Sequence, residues 1–122
     1  MQKIVNIDNS VEEIAPKIIR EGFIGAENLQ VVREGLRQGV EYGSSVLLNG
    51  LPVKAAAKTG TAQIQRKGYA NSWVSVFAPY DDPQIVLTVV VEEVEENRTS
   101  ALPVAKGTLE WYFSENQNSH LR

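Results

Sequence analysis

The segment that most constrains the fold is Ile85–Glu92, which reads IVLTVVVE. It holds four valines and one isoleucine, and β-branched side chains suit a pleated surface, so the run predicts a strand. An apolar run without alternation further predicts burial on both faces. Ser72–Ala78 (SWVSVFA) precedes it and reads as a second, mostly buried strand. The two are joined by Pro79-Tyr80-Asp81-Asp82-Pro83, a short polar connection of the kind that links antiparallel neighbours. Val53–Ile64, which contains KAAAKTGTAQI, is a third strand candidate. Gln65–Ala70 connects it onward, with Gly68 at the bend.

Helical periodicity flanks this block. Leu29, Val32, Leu36 and Val40 share one face of a helix over Ala26–Tyr42. Gly35 and Gly39 interrupt it at about 1 kcal/mol each against alanine, which predicts close packing at both. Gly43-Ser44-Ser45 ends the helix, and Asn49-Gly50 marks a tight turn within Leu47–Val53. A last helix covers Ala101–Phe113, with Ser100 as cap, Pro103 in the opening turn, and Leu102, Ala105, Leu109 and Tyr112 on one face. Near the start, Lys3–Ile7 reads as a strand or extended segment and Asn9-Ser10 as a turn. Val11–Ile24 stays open between a helix beginning at Pro16 and an extended stretch. The fold class is α+β: an antiparallel sheet of about three core strands, with helices before and after it. The chain divides into an N-terminal segment (1–25), a main body (26–113) and a polar tail (114–122) expected to fray.

Composition narrows the function. The 122 residues, 43% apolar and 22% charged, suit one soluble domain or part of one. A net charge of −3 gives no basic stripe, so nucleic acid is not an expected partner. Glu92, Glu93, Glu95 and Glu96 read as a solvated acidic loop. The absence of cysteine excludes disulfides and thiolate metal sites. The single histidine, His120, lies near the end and reads as a surface residue. No metal site and no cofactor are expected. No apolar run approaches the ~20 residues of a membrane span, and no signal peptide opens the chain, so any anchor is expected upstream.

The chemistry-bearing segment is Lys58-Thr59-Gly60-Thr61. On a regular strand Thr59 and Thr61 share one face and Lys58 takes the other. Two hydroxyls on one face can donate to a carboxylate. Gly60 lacks a Cβ, so another backbone can come close. If the strand is an edge, its free N–H and C=O groups can pair with an extended peptide. These residues equally describe an ordinary edge strand, with threonines for β propensity and a lysine that deters aggregation.

The surroundings add a resemblance. KAAAKTGTAQ, a short loop, NSWVSVFAPYDDPQIVLTVVVEE and a closing helix together resemble the end of class B penicillin-binding proteins. The likeness is to the elongation type, often called penicillin-binding protein 2. It includes Arg33-Glu34-Gly35-Leu36-Arg37, Trp73, Phe77-Ala78-Pro79, Pro83-Gln84 and Val91-Glu92, and runs from about Ile24 to Phe113. It implies a piece of the penicillin-binding and serine β-lactamase-like fold. It also implies part of a D,D-transpeptidase that acylates a serine with the D-Ala-D-Ala end of a peptidoglycan stem peptide.

In that scheme Lys58 is a cation near the nucleophile, and the Thr61 N–H is an oxyanion donor, a kind of contact typically worth ~10²–10³ in rate. Thr59 and Thr61 would bind the carboxylate of the peptide or of a β-lactam, and Gly60 would let the ligand lie along the strand. The whole protein is then expected to be membrane-anchored, with this domain on the outer face of the cytoplasmic membrane. No serine here has lysine three residues later, so S-x-x-K is absent and the chain alone is expected to be inactive. Ser114-Glu115-Asn116 matches S-x-N, and Asn97-Arg98-Thr99 a glycosylation sequon, each read as coincidence. Expected partners are stem peptide, β-lactams, the rest of the transpeptidase domain and further copies of the chain. Two alternatives stay open: a serine β-lactamase piece, and a self-contained, non-catalytic peptide-binding module.

Overall fold

The computed structural model describes residues 2–5, 7–14, 19–95, 98 and 100–119. Strands β1 (Gln2–Val5) and β2 (Val11–Ile14) form an antiparallel hairpin. Its turn is held by Asp8, whose Oδ1 accepts the Ser10 N–H at 3.0 Å and the Ser10 hydroxyl at 2.6 Å. Asn9 takes φ 63° between them, a left-handed conformation asparagine tolerates well. The open question over Val11–Ile24 resolves as a strand for Val11–Ile14, while 15–18, Pro16 among them, lie outside the described residues.

The main body contains α1 (Ala26–Glu41), a 3-10 turn (Val46–Gly50), β3 (Ala56–Gln63), β4 (Tyr69–Ala78), β5 (Ile85–Glu95) and α2 (Ala101–Ser119). Asn49-Gly50 closes the 3-10 turn. The three strands form one antiparallel sheet in the order β3-β4-β5. Ala57, Val74, Val76 and Ala78 point to one face, where α2 lays Ala101, Leu102, Ala105, Leu109 and Phe113 over them. Leu48 and Leu51 fill one side of this core and Val40 of α1 completes it. The first N–H of α2 finds its partner across the core: Ala101 N donates to Ser72 Oγ of β4 at 3.2 Å. Ser72 thus takes up one of the orphan donors at the start of α2.

Several expectations need correction. β5 is covered on one face only. Ile85, Leu87, Val89 and Val91 are half-buried under α2, but Val86 is 74% exposed on the other side. On that outer face Tyr80 and Arg33 cover Phe77 at one end, while Trp73, Val86 and Val90 stay exposed. The apolar face of α1 is also largely open: Leu29 and Val32 are 47% and 58% exposed. The helix meets the sheet from Arg33 onward, where the guanidinium lies 5.2 Å from the Phe77 ring of β4 and Nη2 donates to Tyr80 O at 2.7 Å, and again through its last turns. There Arg37 Nη1 donates to Ala55 O at 2.9 Å, and a Cβ on Gly39 would stand 3.3 Å from Ala57 O. Gly35, by contrast, has open space where a Cβ would go. Glu92, Glu93 and Glu95 belong to β5 rather than to a loop, and Glu96 lies outside the described residues. A register shift between Ala70 and Ser72 lets Asn71 Oδ1 accept the Glu93 N–H at 3.1 Å, with Glu93 at φ 51°.

Candidate functional site

Lys58-Thr59-Gly60-Thr61 occupies the middle of β3, and β3 is an edge strand. Cross-strand pairs share a face. Lys58 and Gly60 pair with Ser75 and Trp73 on the outer face, while Thr59 and Thr61 pair with Val74 and Ser72 on the face that carries α2. The alternation read from the sequence therefore holds through the segment.

The main chain completes the picture. Ala55 O accepts from Arg37, and Thr59 O accepts from Lys58 Nζ at 2.6 Å. Both carbonyls thus point away from β4. In an antiparallel strand the N–H and C=O of one residue address the same side, and alternate residues repeat it. Thr61 follows the same direction and offers its N–H and C=O outward. The end of α1 seals this edge near Ala57. Beyond it the edge opens, with Gly60 and Thr61 exposed.

A second hydroxyl stands beside the first threonine. Ser44 Oγ lies 2.8 Å from Thr59 Oγ1. A cavity of about 270 Å³ is lined by the four residues 58–61 of β3, by Ser72 and Trp73 of β4, and by Arg98 and Leu102. Arg98 Nε pairs with Glu95 at 3.1 Å. A Cβ on Gly60 would make only an ordinary 3.5 Å contact with Trp73 Cβ. The glycine therefore relieves no clash inside the chain. Another cavity, of about 360 Å³, lies further along toward the β3–β4 turn, by Ile64, Asn71 and the Arg66–Glu93 pair, whose opposite charges offset each other.

Sequence reasoning named Lys58, Thr59, Gly60 and Thr61, and these share the cavity; it missed Ser44 and Arg98 as neighbours. Ser44 carried only a helix-end signal and Arg98 only a chance sequon. Ser114 spends its hydroxyl on Trp111 O at 2.9 Å, a local helix bond. Asn97, Thr99 and His120 lie outside the described residues. Among the described residues no group of three His, Cys, Asp or Glu side chains could hold a metal, and no helix is long and apolar enough to cross a membrane.

Residues 1–110 match the family model described as the penicillin binding protein transpeptidase domain. The match takes in the first 25 residues, where the sequence carried little resemblance. The chain is 29% identical over 63 residues to the peptidoglycan D,D-transpeptidase MrdA of Haemophilus influenzae, covering 52% of this chain and 10% of that protein. The chain thus spans about a tenth of the length of that relative. Among solved structures, penicillin-binding protein 2B of Streptococcus pneumoniae superposes with a TM-score of 0.72, covering 90% of this chain and 20% of that one at 20% identity, a likeness of fold. The penicillin-binding protein PBP2 of Helicobacter pylori gives 0.59 at 28% identity, over 70% of this chain and 16% of that one.

Proposed function

The chain belongs to the penicillin-binding protein transpeptidase family, and from that premise we propose that it supplies the substrate-holding edge of a D,D-transpeptidase site. The observation that carries this is the placement of K-T-G-T on an edge strand whose outer side is open beside a cavity. A D-Ala-D-Ala end lies extended along β3 and pairs with the outward main chain of Thr61. The Thr59 and Thr61 hydroxyls donate to its terminal carboxylate. Lys58 holds positive potential beside the reacting carbonyl, and the Thr61 N–H stabilises the oxyanion as a serine Oγ adds to it. β-Lactams, which carry a comparable carboxylate, use the same edge.

The serine belongs to an S-x-x-K that these 122 residues do not contain. Trp73, Val86 and Val90 on the exposed outer sheet face suit packing against the remainder of a transpeptidase domain. With no neighbour described beyond it, β5 also favours self-association of the isolated chain at high concentration. Light scattering that finds only monomers would remove that last point. On this reading the complete enzyme is membrane-anchored and works on the outer face of the cytoplasmic membrane. The transpeptidase relatives favour this reading over a β-lactamase piece.

The test combines two ligands. N-acetyl-D-Ala-D-Ala should bind the chain reversibly and more tightly than its C-terminal amide, while labelled penicillin should be lost completely on denaturation. Equal binding of acid and amide, or covalently retained penicillin, would overturn the proposal.

A further inference from the structure

Resting on that reading, we propose that Ser44 is a positioning residue: it donates its proton to Thr59 and thereby turns the Thr59 hydroxyl proton toward the ligand carboxylate. The two oxygens are 2.8 Å apart, so one proton lies between them. A hydroxyl carries one proton and two lone pairs. If Thr59 donated to Ser44, it would face an arriving anion with lone pairs only. Only the reverse direction leaves Thr59 a proton for the carboxylate. In that direction the Ser44 bond also polarises Thr59 and strengthens its donation. Thr59 is the only hydrogen-bond partner of Ser44 Oγ among the described residues.

The backbone holds Ser44 in place. On one side, Gly43 stacks on α1 so tightly that a Cβ there would lie 2.9 Å from Gly39 Cα. On the other, Ser45 is fully buried and its N–H donates to Gly39 O at 2.9 Å. Val46 N closes the turn onto Gly43 O at 3.2 Å. The backbone of Ser44 thus sits between two anchors, with its hydroxyl on Thr59. The backbone of its partner is held by the β3–β4 ladder, where Thr59 pairs with Val74. The end of α1 therefore presents a donor to a strand residue distant in sequence.

The experiment titrates the 122-residue chain with N-acetyl-D-Ala-D-Ala and with its C-terminal amide, following amide resonances by NMR. Ser44→Ala should weaken binding of the acid about five-fold, the value of one ordinary hydrogen bond, and leave the amide unchanged. Ser44→Thr, which keeps the hydroxyl, should restore the acid preference. On a Thr59→Ala background, Ser44→Ala should have no further effect. Unchanged acid binding by Ser44→Ala, or an equal loss for acid and amide, overturns the inference. A wild-type chain that does not prefer the acid overturns the proposed function itself, and this assignment with it.

Discussion

Replacing Gly43 with alanine should destabilise the chain, although glycine-to-alanine changes usually do the opposite. The new Cβ would lie 2.9 Å from Gly39 Cα, 3.0 Å from Gly39 O and 3.3 Å from Gly39 C. Carbon atoms in comfortable contact sit about 3.5–4.0 Å apart, so these are overlaps with backbone that has no rotamer to change. Gly39 itself lies close to β3, since a Cβ on it would be 3.3 Å from Ala57 O, which limits the room for it to shift. Overpacking of this kind costs about 1–3 kcal/mol. Loss of unfolded-state freedom returns about 0.4–1 kcal/mol. The expected net loss is thus roughly 1–2 kcal/mol. Gly35→Ala is the control: it lies within α1, meets nothing within 4 Å, and should stabilise by up to about 1 kcal/mol. Urea unfolding followed by tryptophan fluorescence measures both. If Gly43→Ala proves as stable as Gly35→Ala, the close approach of the α1 end to Gly39 is wrong, and with it the anchoring of Ser44.

Other changes probe the rest of the chain. Leu109→Ala empties a fully buried site between α2 and the sheet and should cost about 2–5 kcal/mol in the same assay. Ser45→Ala removes a buried hydroxyl that has no hydrogen-bond partner, so it should raise stability by about 1 kcal/mol; a loss would show that the hydroxyl is satisfied. The Asp8 carboxyl should titrate below its ordinary value by NMR, because the Ser10 hydroxyl and N–H both donate to it. Its support for the β1–β2 turn is then present above the unfolded-state value and lost as pH falls through the lowered one. A normal titration would contradict the turn geometry.

The sheet and its flanking helices were legible because each strand carried its own pattern and its own turn residues. What covers each face was less so. The run from Ile85 to Val91 has the composition of a strand buried on both sides, yet only the side under α2 is packed. Hydrophobic character records what a residue tolerates, whereas coverage depends on which other elements arrive. The β1–β2 hairpin was half-hidden because Val11–Ile14 reads VEEI, with two glutamates in so short a strand. At the site, the K-T-G-T alternation followed from strand geometry alone. The Ser44–Thr59 contact did not, since it depends on the angle at which α1 leaves the sheet. Arg98 was hidden for a similar reason: it reaches the cavity only because β5 extends past Glu92 to Glu95 before the chain turns.

The partial sealing of β3 also works as a ruler. With α1 lying along Ala55 and Ala57, the outward-facing positions left on the strand are Thr59, Thr61 and Gln63. At about 3.4 Å per residue they offer a berth of roughly 14 Å. That length accommodates a few residues of an incoming chain and no more. A long foreign strand would strike the helix before it could zip along the margin, so the berth favours short peptide ends over fibril growth.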